Sequence, residues 1–407
     1  MPGPLEGVRV LDLTRVLAGP WAAQNLADLG AEVIKLERPK KGDDSRAFGP
    51  PWLKNAQGRD TSESAYFACA NRGKKSLTLD LAHPRGQAIA RELAAKCDVL
   101  LENFKFGDLD RYGLGYSQLR EVNPGLIYCS VTGFGHTGPW RERPGYDFMI
   151  QGMGGLMSIT GERDDRPGGG PQKAGIPIAD LITGMYASIA VCAALAHRAN
   201  TGVGQHLDLA LFDSLVAVLA NQGGNYLATG KPPGRLGNDH PNIAPYQVFR
   251  TADGSLILAC GNDNLFRKFC EVAGCLALAD DPRFASNGKR VENRVELTRL
   301  LNEVFLKRPT EEWIARLEAA GVPCGPINDL SQVFSEPQAL ARGLRMELAH
   351  PSAGKVSLVR SPMRFSGTPV EHGVPPPTLG QHTDKVLRGL LGKSEAEIQR
   401  LRAEAII

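Results

Sequence analysis

What the chain lacks narrows its chemistry first. It has eight cysteines, Cys69, Cys97, Cys129, Cys192, Cys260, Cys270, Cys275 and Cys324, and no two of them form a C-x-x-C pair. Several sit inside apolar runs, as in Val191-Cys192-Ala193. Without a C-x-x-C pair, and with several cysteines placed for burial, the reading is free thiols in a reducing compartment, with no disulfide framework and no metal. The start, Met1-Pro2-Gly3-Pro4, enters a strand-like run at once, without the apolar core of a signal peptide or an Arg-rich transit segment. No uninterrupted apolar stretch reaches the roughly 18 residues of a membrane span. A cytoplasmic protein with no membrane partner is the expectation. Charge of one sign is also missing: 47 Lys and Arg against 44 Asp and Glu leave +3. That balance gives no basic stripe of the kind nucleic acid requires.

What is present is ordinary globular material, 42% hydrophobic and 22% charged over 407 residues, enough for two or three domains. Val8 to Leu13 reads as a buried strand, Thr14 to Pro20 as a loop and Trp21 to Leu29 as a helix. Gly30 closes that helix and Ala31 to Glu37 is a second strand. This is a βαβ unit on a parallel sheet, and it lacks the G-x-G-x-x-G of dinucleotide folds. Strands follow at Ser76–Leu81, Asp98–Phe104, Leu126–Thr132 and Gln205–Ala210. Helices are expected at about 84–96 and from Phe212 to Leu227. Alternation of this kind gives an α/β class with a doubly wound sheet. Beyond it, Tyr246–Phe249 and Leu256–Ala259 form a hairpin signal through Ala252-Asp253-Gly254, and helices dominate to about residue 320. The last of those helices has Thr310 as its expected N-cap. The reading is a large domain from 1 to 227, a small α+β domain from 228 to 328, and a segment from 329 to 407 that returns to the large one.

One stretch stands apart. Gly175-Ile176-Pro177-Ile178-Ala179-Asp180 places a carboxylate at the mouth of an uncharged apolar run, Leu181 to Leu195. Asp is a favoured N-cap, so Asp180 reads either as the cap of a buried helix or as a nucleophile beside backbone donors. The glycine-rich region 152–175 leads into it.

Several segments together resemble the class III CoA-transferase family, also called CaiB/BaiF or formyl-CoA transferase-like. They are Val10 to Pro20, Gly30 to Lys35, Glu102-Asn103-Phe104, Thr132 to Gly135, Ile178-Ala179-Asp180, Gly261-Asn262-Asp263, Gly321 to Pro326 and Leu379 to Thr383. The resemblance spans about residues 5–392. It implies a Rossmann-like large domain with a smaller one between its parts, in an interlocked ring-shaped homodimer. It makes Asp180 the nucleophile and implies CoA contacts at Val16, Ala18, Arg38, Leu79, Asn103, Phe104, Arg111 and Tyr146. Coenzyme A or acyl-CoA is then a substrate, with no tightly bound cofactor.

The same fold also houses α-methylacyl-CoA racemases, whose base is the His of a Gly-His-Asp triplet. Here the triplet is Gly145-Tyr146-Asp147. A phenol of pKa near 10 is a poor proton shuttle at neutral pH, which favours the transferase. The loop from Asn238 to Ala244 lacks the glycine run of oxalate-specific members. Arg235-Leu236-Gly237 through His240 and Pro245-Tyr246-Gln247, with Arg46 in Gly42 to Arg46, resemble instead the succinyl-CoA:glutarate and dicarboxylate branch. A distal carboxylate calls for a cation, and Arg46 or Arg235, helped by His240, are the candidates.

Overall fold

The computed structural model describes residues 3–370 and 373–407. The chain divides into two compact units. The first comprises Met1–Gly155, Gly175–Val218 and Pro337–Ile407; the second comprises Leu156–Ala174 and Leu219–Glu336.

The first unit is built on six strands. These are β1 (Arg9–Asp12), β2 (Glu32–Glu37), β3 (Lys74–Thr78), β4 (Val99–Glu102), β5 (Ile127–Thr132) and β6 (His206–Ala210). Every pairing is parallel, and the order across the sheet is β3-β2-β1-β4-β5-β6. The order reverses between β1 and β4, and the carboxyl ends of strands at such a switch point open a crevice where doubly wound sheets bind ligands. The central strands β1, β4 and β5 are buried on both faces, which explains why they read as nearly continuous apolar runs rather than as alternating ones.

Four helices matter for the site: α1 (Ala18–Asp28), α2 (Pro84–Ala94), α3 (Asp147–Met153) and α4 (Ile178–Thr201). On one face of the sheet, α2 lays Ile89, Ala90 and Leu93 into a core shared with Leu11, Ile34, Leu77 and Leu100. The same core takes in Val386, Leu387, Ile398, Leu401 and Ile406 from the C-terminal segment. That segment is tied to β3 by hydrogen bonds from His382 N to Ser76 O and from Thr78 N to Thr383 Oγ1.

The other notable packing is α1 against α4. A β-carbon on Gly184 of α4 would stand 2.6 Å from the Ala18 carbonyl oxygen and 3.1 Å from Trp21 Cβ. The two helices therefore touch backbone to side chain one turn beyond Asp180, which fixes α4 against the start of α1. Its 24 residues make α4 the one helix, among the described residues, long and apolar enough to cross a membrane. About a third of its most apolar window is spent on packing, with Ala179, Ile182, Ala187, Val191 and Ala194 buried. Met185, Tyr186 and Ile189 remain exposed, the last at 64%.

In the second unit, β7 (Tyr246–Arg250), β8 (Ser255–Ala259) and β9 (Cys324–Pro326) form an antiparallel sheet. Phe249, Leu256 and Leu258 pack there against Phe266, Phe269, Phe305 and Trp313.

Two expectations differ in detail. The run 212–227 is two helices, Leu211–Ala217 and Ala220–Thr229, and the boundary between the units falls in the break at Val218 and Leu219. Ala220 stands at φ 46° there, so one continuous helix cannot form. Thr310 is the first helical residue rather than the cap; Asp253, from the hairpin turn, accepts from its N–H at 2.8 Å and its hydroxyl at 2.9 Å.

Gly184→Ala should destabilise the protein by about 1–3 kcal/mol, because the added methyl collides with the Ala18 backbone. Gly224→Ala, helical with nothing within 4 Å of the added carbon, should be neutral or stabilising by up to about 1 kcal/mol. Urea unfolding midpoints of the two variants check the contrast.

Candidate active site

The loop after β1 is held by buried charge. Lys35 and Asp12 are fully buried and Asp43 nearly so. The Lys35 ammonium lies 2.8 Å from Asp43 Oδ2, 4.0 Å from Asp12 Oδ2 and 2.7 Å from the Thr14 carbonyl oxygen. Lys74, also buried, reaches Asp12 Oδ2 at 3.0 Å, the Pro20 carbonyl at 2.9 Å and Asn71 Oδ1 at 2.8 Å. Burial opposes ionisation of Asp43, but the Lys35 charge outweighs it and holds the carboxyl well below the usual range. Burial alone would lower Lys35; Asp43, Asp12 and Glu37 instead raise it. Asp43 Oδ1 then accepts from Val16 N at 3.1 Å. That bond secures Val16 at φ 71°, a left-handed conformation that is costly for a β-branched residue.

The loop after β4 meets the loop after β1 face to face. Asn103 Oδ1 accepts from Arg15 N at 3.0 Å, and Asn103 Nδ2 donates to the Arg15 carbonyl at 2.8 Å. Between and beside these loops opens a cleft of about 260 Å3, lined by Val16, Ala18, Asn103, Phe104, Tyr146 and Asp180 among others. It sits at the switch point between β1 and β4. A second cleft of about 290 Å3 carries Arg38 and Leu79 and shares Arg15, Phe104 and Asp108 with the first.

Asp180 is the third residue of α4, so it is not the N-cap. Pro177 occupies the cap position and offers no side-chain acceptor. The cap comes from elsewhere: Asp147 Oδ1 accepts from Ala179 N at 2.8 Å and from Asp180 N at 3.3 Å. Gln151 Nε2 steadies the other oxygen of Asp147 at 2.6 Å. Asp147 reaches this point because Gly133, at the end of β5, and Gly145 meet backbone to backbone. A β-carbon on either would stand 2.3–2.5 Å from the Cα of the other.

Relieved of capping, the Asp180 carboxylate accepts no hydrogen bond from any described residue. Burial and then the neighbouring Asp147 charge raise its pKa to about 7. Tyr66 feels that carboxylate in turn: burial and then Asp180 push its phenol up to about 12. The first N–H groups of α4, which Asp180 as nucleophile was expected to exploit, are already taken by Asp147.

The other expected site residues divide clearly. Arg111 lines neither cleft; it is 74% exposed and pairs with Asp108. Arg46 does not present a free cation. Glu37 grips it through Nε at 2.7 Å and Nη2 at 2.8 Å, and Glu63 and the Pro377 carbonyl take further donors. Its guanidinium lies 3.7 Å over the Phe67 ring. Arg235 and His240 belong to the second unit. Arg235 pairs there with Asp164 while its buried Nε finds no partner. His240 Nδ1 accepts from Asn242 N at 3.1 Å, so the ring proton sits on Nε2. Burial and Arg294 depress its pKa, making it a neutral donor rather than a cation.

Sequence reasoning missed Asp147 and the pair Arg15 and Asp44. Asp147 was visible as the third member of Gly145-Tyr146-Asp147, where only the central tyrosine was weighed. Gly133 to Gly138 spells G-x-G-x-x-G after β5, but it runs into turns rather than a helix, so no helix N-terminus faces a dinucleotide.

A carboxylate deprived of hydrogen bonds, in a cleft at the switch point of a doubly wound sheet, has lone pairs free to act as a base or a nucleophile. The family pattern described as CoA-transferase family III matches residues 5–383. The chain is 50% identical over 387 residues to a succinate–glutarate CoA-transferase of Agrobacterium fabrum, covering 95% of this chain and 96% of that one. It is 45% identical over 404 residues to the succinyl-CoA:glutarate CoA-transferase of Mus musculus, covering 99% and 90%. The crystal structure of a CaiB/BaiF family protein from Brucella suis superposes with a TM-score of 0.83 at 49% identity, covering 96% of this chain and 100% of that one. The chain belongs to CoA-transferase family III and is a CoA-transferase.

Asp147→Asn keeps an acceptor for the Ala179 and Asp180 N–H groups but removes a charge, so the Asp180 pKa should fall at little cost in stability. Asp147→Ala should in addition lose about 0.5–2 kcal/mol. Carboxyl carbon NMR titration of Asp180, with denaturation midpoints, separates the two effects.

Proposed function

We propose that the chain moves CoA from succinyl-CoA to glutarate or a closely similar short dicarboxylate, with Asp180 as nucleophile. The observation that carries this is the half-buried, unbonded Asp180 in the cleft formed by the family's CoA motifs. A hydrated carboxylate is a weak nucleophile, and a part-buried site that offers it no hydrogen bond, closed over by bound substrate, would leave its lone pairs free to attack. An Asp180 oxygen adds to the thioester carbonyl and the C–S bond breaks. CoA thiolate leaves and a mixed anhydride remains. The thiolate then attacks the aspartyl carbonyl, giving an aspartyl-CoA thioester and the first free acid. The incoming carboxylate attacks that thioester, and the expelled thiolate takes the new acyl group, restoring Asp180. One thioester replaces another, so the exchange requires no external energy source.

Val16, Ala18, Asn103 and Phe104 would hold the pantetheine arm, Leu79 and Arg38 the nucleotide end, and Tyr146 would face the acyl group. Arg111, exposed and paired only with Asp108, has the freedom to turn toward a phosphate. For the distal carboxylate Arg46 and Arg235, with His240, stay the candidates, each arginine paired within its own unit: Arg46 with Glu37 and Glu63, Arg235 with Asp164. The racemase reading is disfavoured because Tyr146 stands where a second base is needed.

The enzyme would act as a homodimer of the interlocked kind the resemblance implies. Its apolar contact would include Met185, Tyr186 and Ile189, the exposed face of α4. Ile189→Arg should then shift the sedimentation mass toward the monomer.

Mixing with succinyl-CoA should give a covalent CoA adduct by intact mass spectrometry, absent from Asp180→Ala, whose transferase rate should fall by about 10³-fold or more. α-Proton exchange into deuterated water without transfer would reject the reading. With a free-enzyme pKa of about 7, Asp180 is the reactive anion above that pH. kcat/KM should therefore fall about tenfold per unit below it.

A further inference from the structure

Arg15 and Arg38 converge on one carboxylate. Arg15 Nη1 meets Asp44 Oδ2 at 3.1 Å, and Arg38 Nη2 meets the other oxygen, Oδ1. The guanidiniums come from different loops, after β1 and after β2, and the pair spans the junction of the two clefts: Arg15 lines both, Asp44 the first and Arg38 the second. The backbone on each side is fixed while the side chains are not. Arg15 is pinned through Asn103. Asp44 follows Asp43, which is clamped by Lys35 and by Ser45 N and Oγ. The three charged side chains are 35%, 47% and 44% exposed for Arg15, Arg38 and Asp44. Arg15 is additionally placed over the Phe104 ring, at 5.3 Å.

Two guanidiniums, each giving one N–H to a different oxygen of one anion, match a phosphate as well as they match a carboxylate. Exposed pairs of this kind contribute little stability, so the carboxylate is readily displaced. We infer that Arg15 and Arg38 form a two-handed phosphate seat and that Asp44 is its resident counter-ion, displaced when a phosphate of acyl-CoA enters. The inference rests on the reading of the clefts as the acyl-CoA site. It assigns Arg15 a binding role beyond that of Arg38, and it gives Asp44 a function. Free dicarboxylates are substrates of the proposed reaction, and an unguarded arginine pair would bind them in place of CoA. Asp44 holds the seat against a carboxylate, which makes weaker contacts, and yields it to a phosphate carrying more charge.

The test is calorimetric binding of CoA, 3′-dephospho-CoA and pantetheine at low salt to the unmodified protein, Arg15→Gln and Asp44→Asn. Arg15→Gln should weaken CoA about tenfold, and Asp44→Asn should tighten it about two- to fivefold. Asp44→Asn should also make glutarate a competitive inhibitor against acyl-CoA. If the Arg15→Gln loss disappears with 3′-dephospho-CoA, the seat holds the 3′-phosphate. If the loss persists there and disappears with pantetheine, the seat holds the diphosphate. Both variants binding CoA within twofold of the unmodified protein, which itself binds, would overturn the seat and leave the site reading intact. Failure of the unmodified protein to bind CoA at all would overturn both.

Discussion

The buried ammonium of Lys35 is the constraint on which the site depends. It stands between two carboxylates and a main-chain carbonyl with no access to water. A lone buried charge would be ruinous, and a buried pair is worth retaining only when every lone pair is satisfied or when it fixes something specific. Here it fixes Asp43, and Asp43 fixes Val16 in a conformation that a valine would not adopt unaided. The backbone between β1 and α1 is thereby turned into the cleft rather than along the sheet. The strain at Val16 and the ion pair beneath it are two parts of one device.

A second device works on the opposite wall. Helix α4 opens with a proline that cannot cap it, and the missing acceptor arrives from Asp147, remote in sequence. Had Asp180 capped its own helix, its oxygens would be committed to N–H groups and its pKa driven down. With the cap supplied from outside, Asp180 is left with only burial and a like charge for company, both of which raise its pKa. The close approach of Gly133 and Gly145 makes this geometry available. A residue's reactivity here is set by what a different residue does in its place.

This explains which parts were legible in the sequence. The central strands β1, β4 and β5 announced themselves by apolar runs, whereas the edge strands β3 and β6 showed as alternation. The βαβ rhythm then constrained the topology. Asp180 stood out because it was the lone charge at the head of a long apolar helix. Trans-capping is not local and leaves no mark at conventional spacing, so Asp180 and Thr310 both looked like caps while Asp147 and Asp253 held the role. Arg46 looked like a ligand for the same reason: its partners, Glu37, Glu63 and Pro377, are distant along the chain. The break at Val218 fell within a run read as one helix, and the left-handed Ala220 interrupts it at a point that no proline or glycine marks.

The electrostatics of the cleft complete the picture. Its lining carries Arg15, Lys105, Arg141 and Arg143 against Asp44, Asp108, Glu142 and Asp180, so it is close to neutral, as the whole chain is. A ligand with several phosphate charges would not be drawn strongly to such a surface by long-range attraction, which is further screened beyond about 10 Å. On the proposed reading, recognition would come from rearrangement at contact, in which protein carboxylates release arginines as the ligand's anions arrive. That exchange is nearly neutral in net charge, so it selects by geometry and hydrogen-bond strength rather than by total charge. An enzyme surrounded by small dicarboxylates, which must admit one of them as substrate without letting it occupy the nucleotide's place, is better served by such an exchange than by a strongly positive groove.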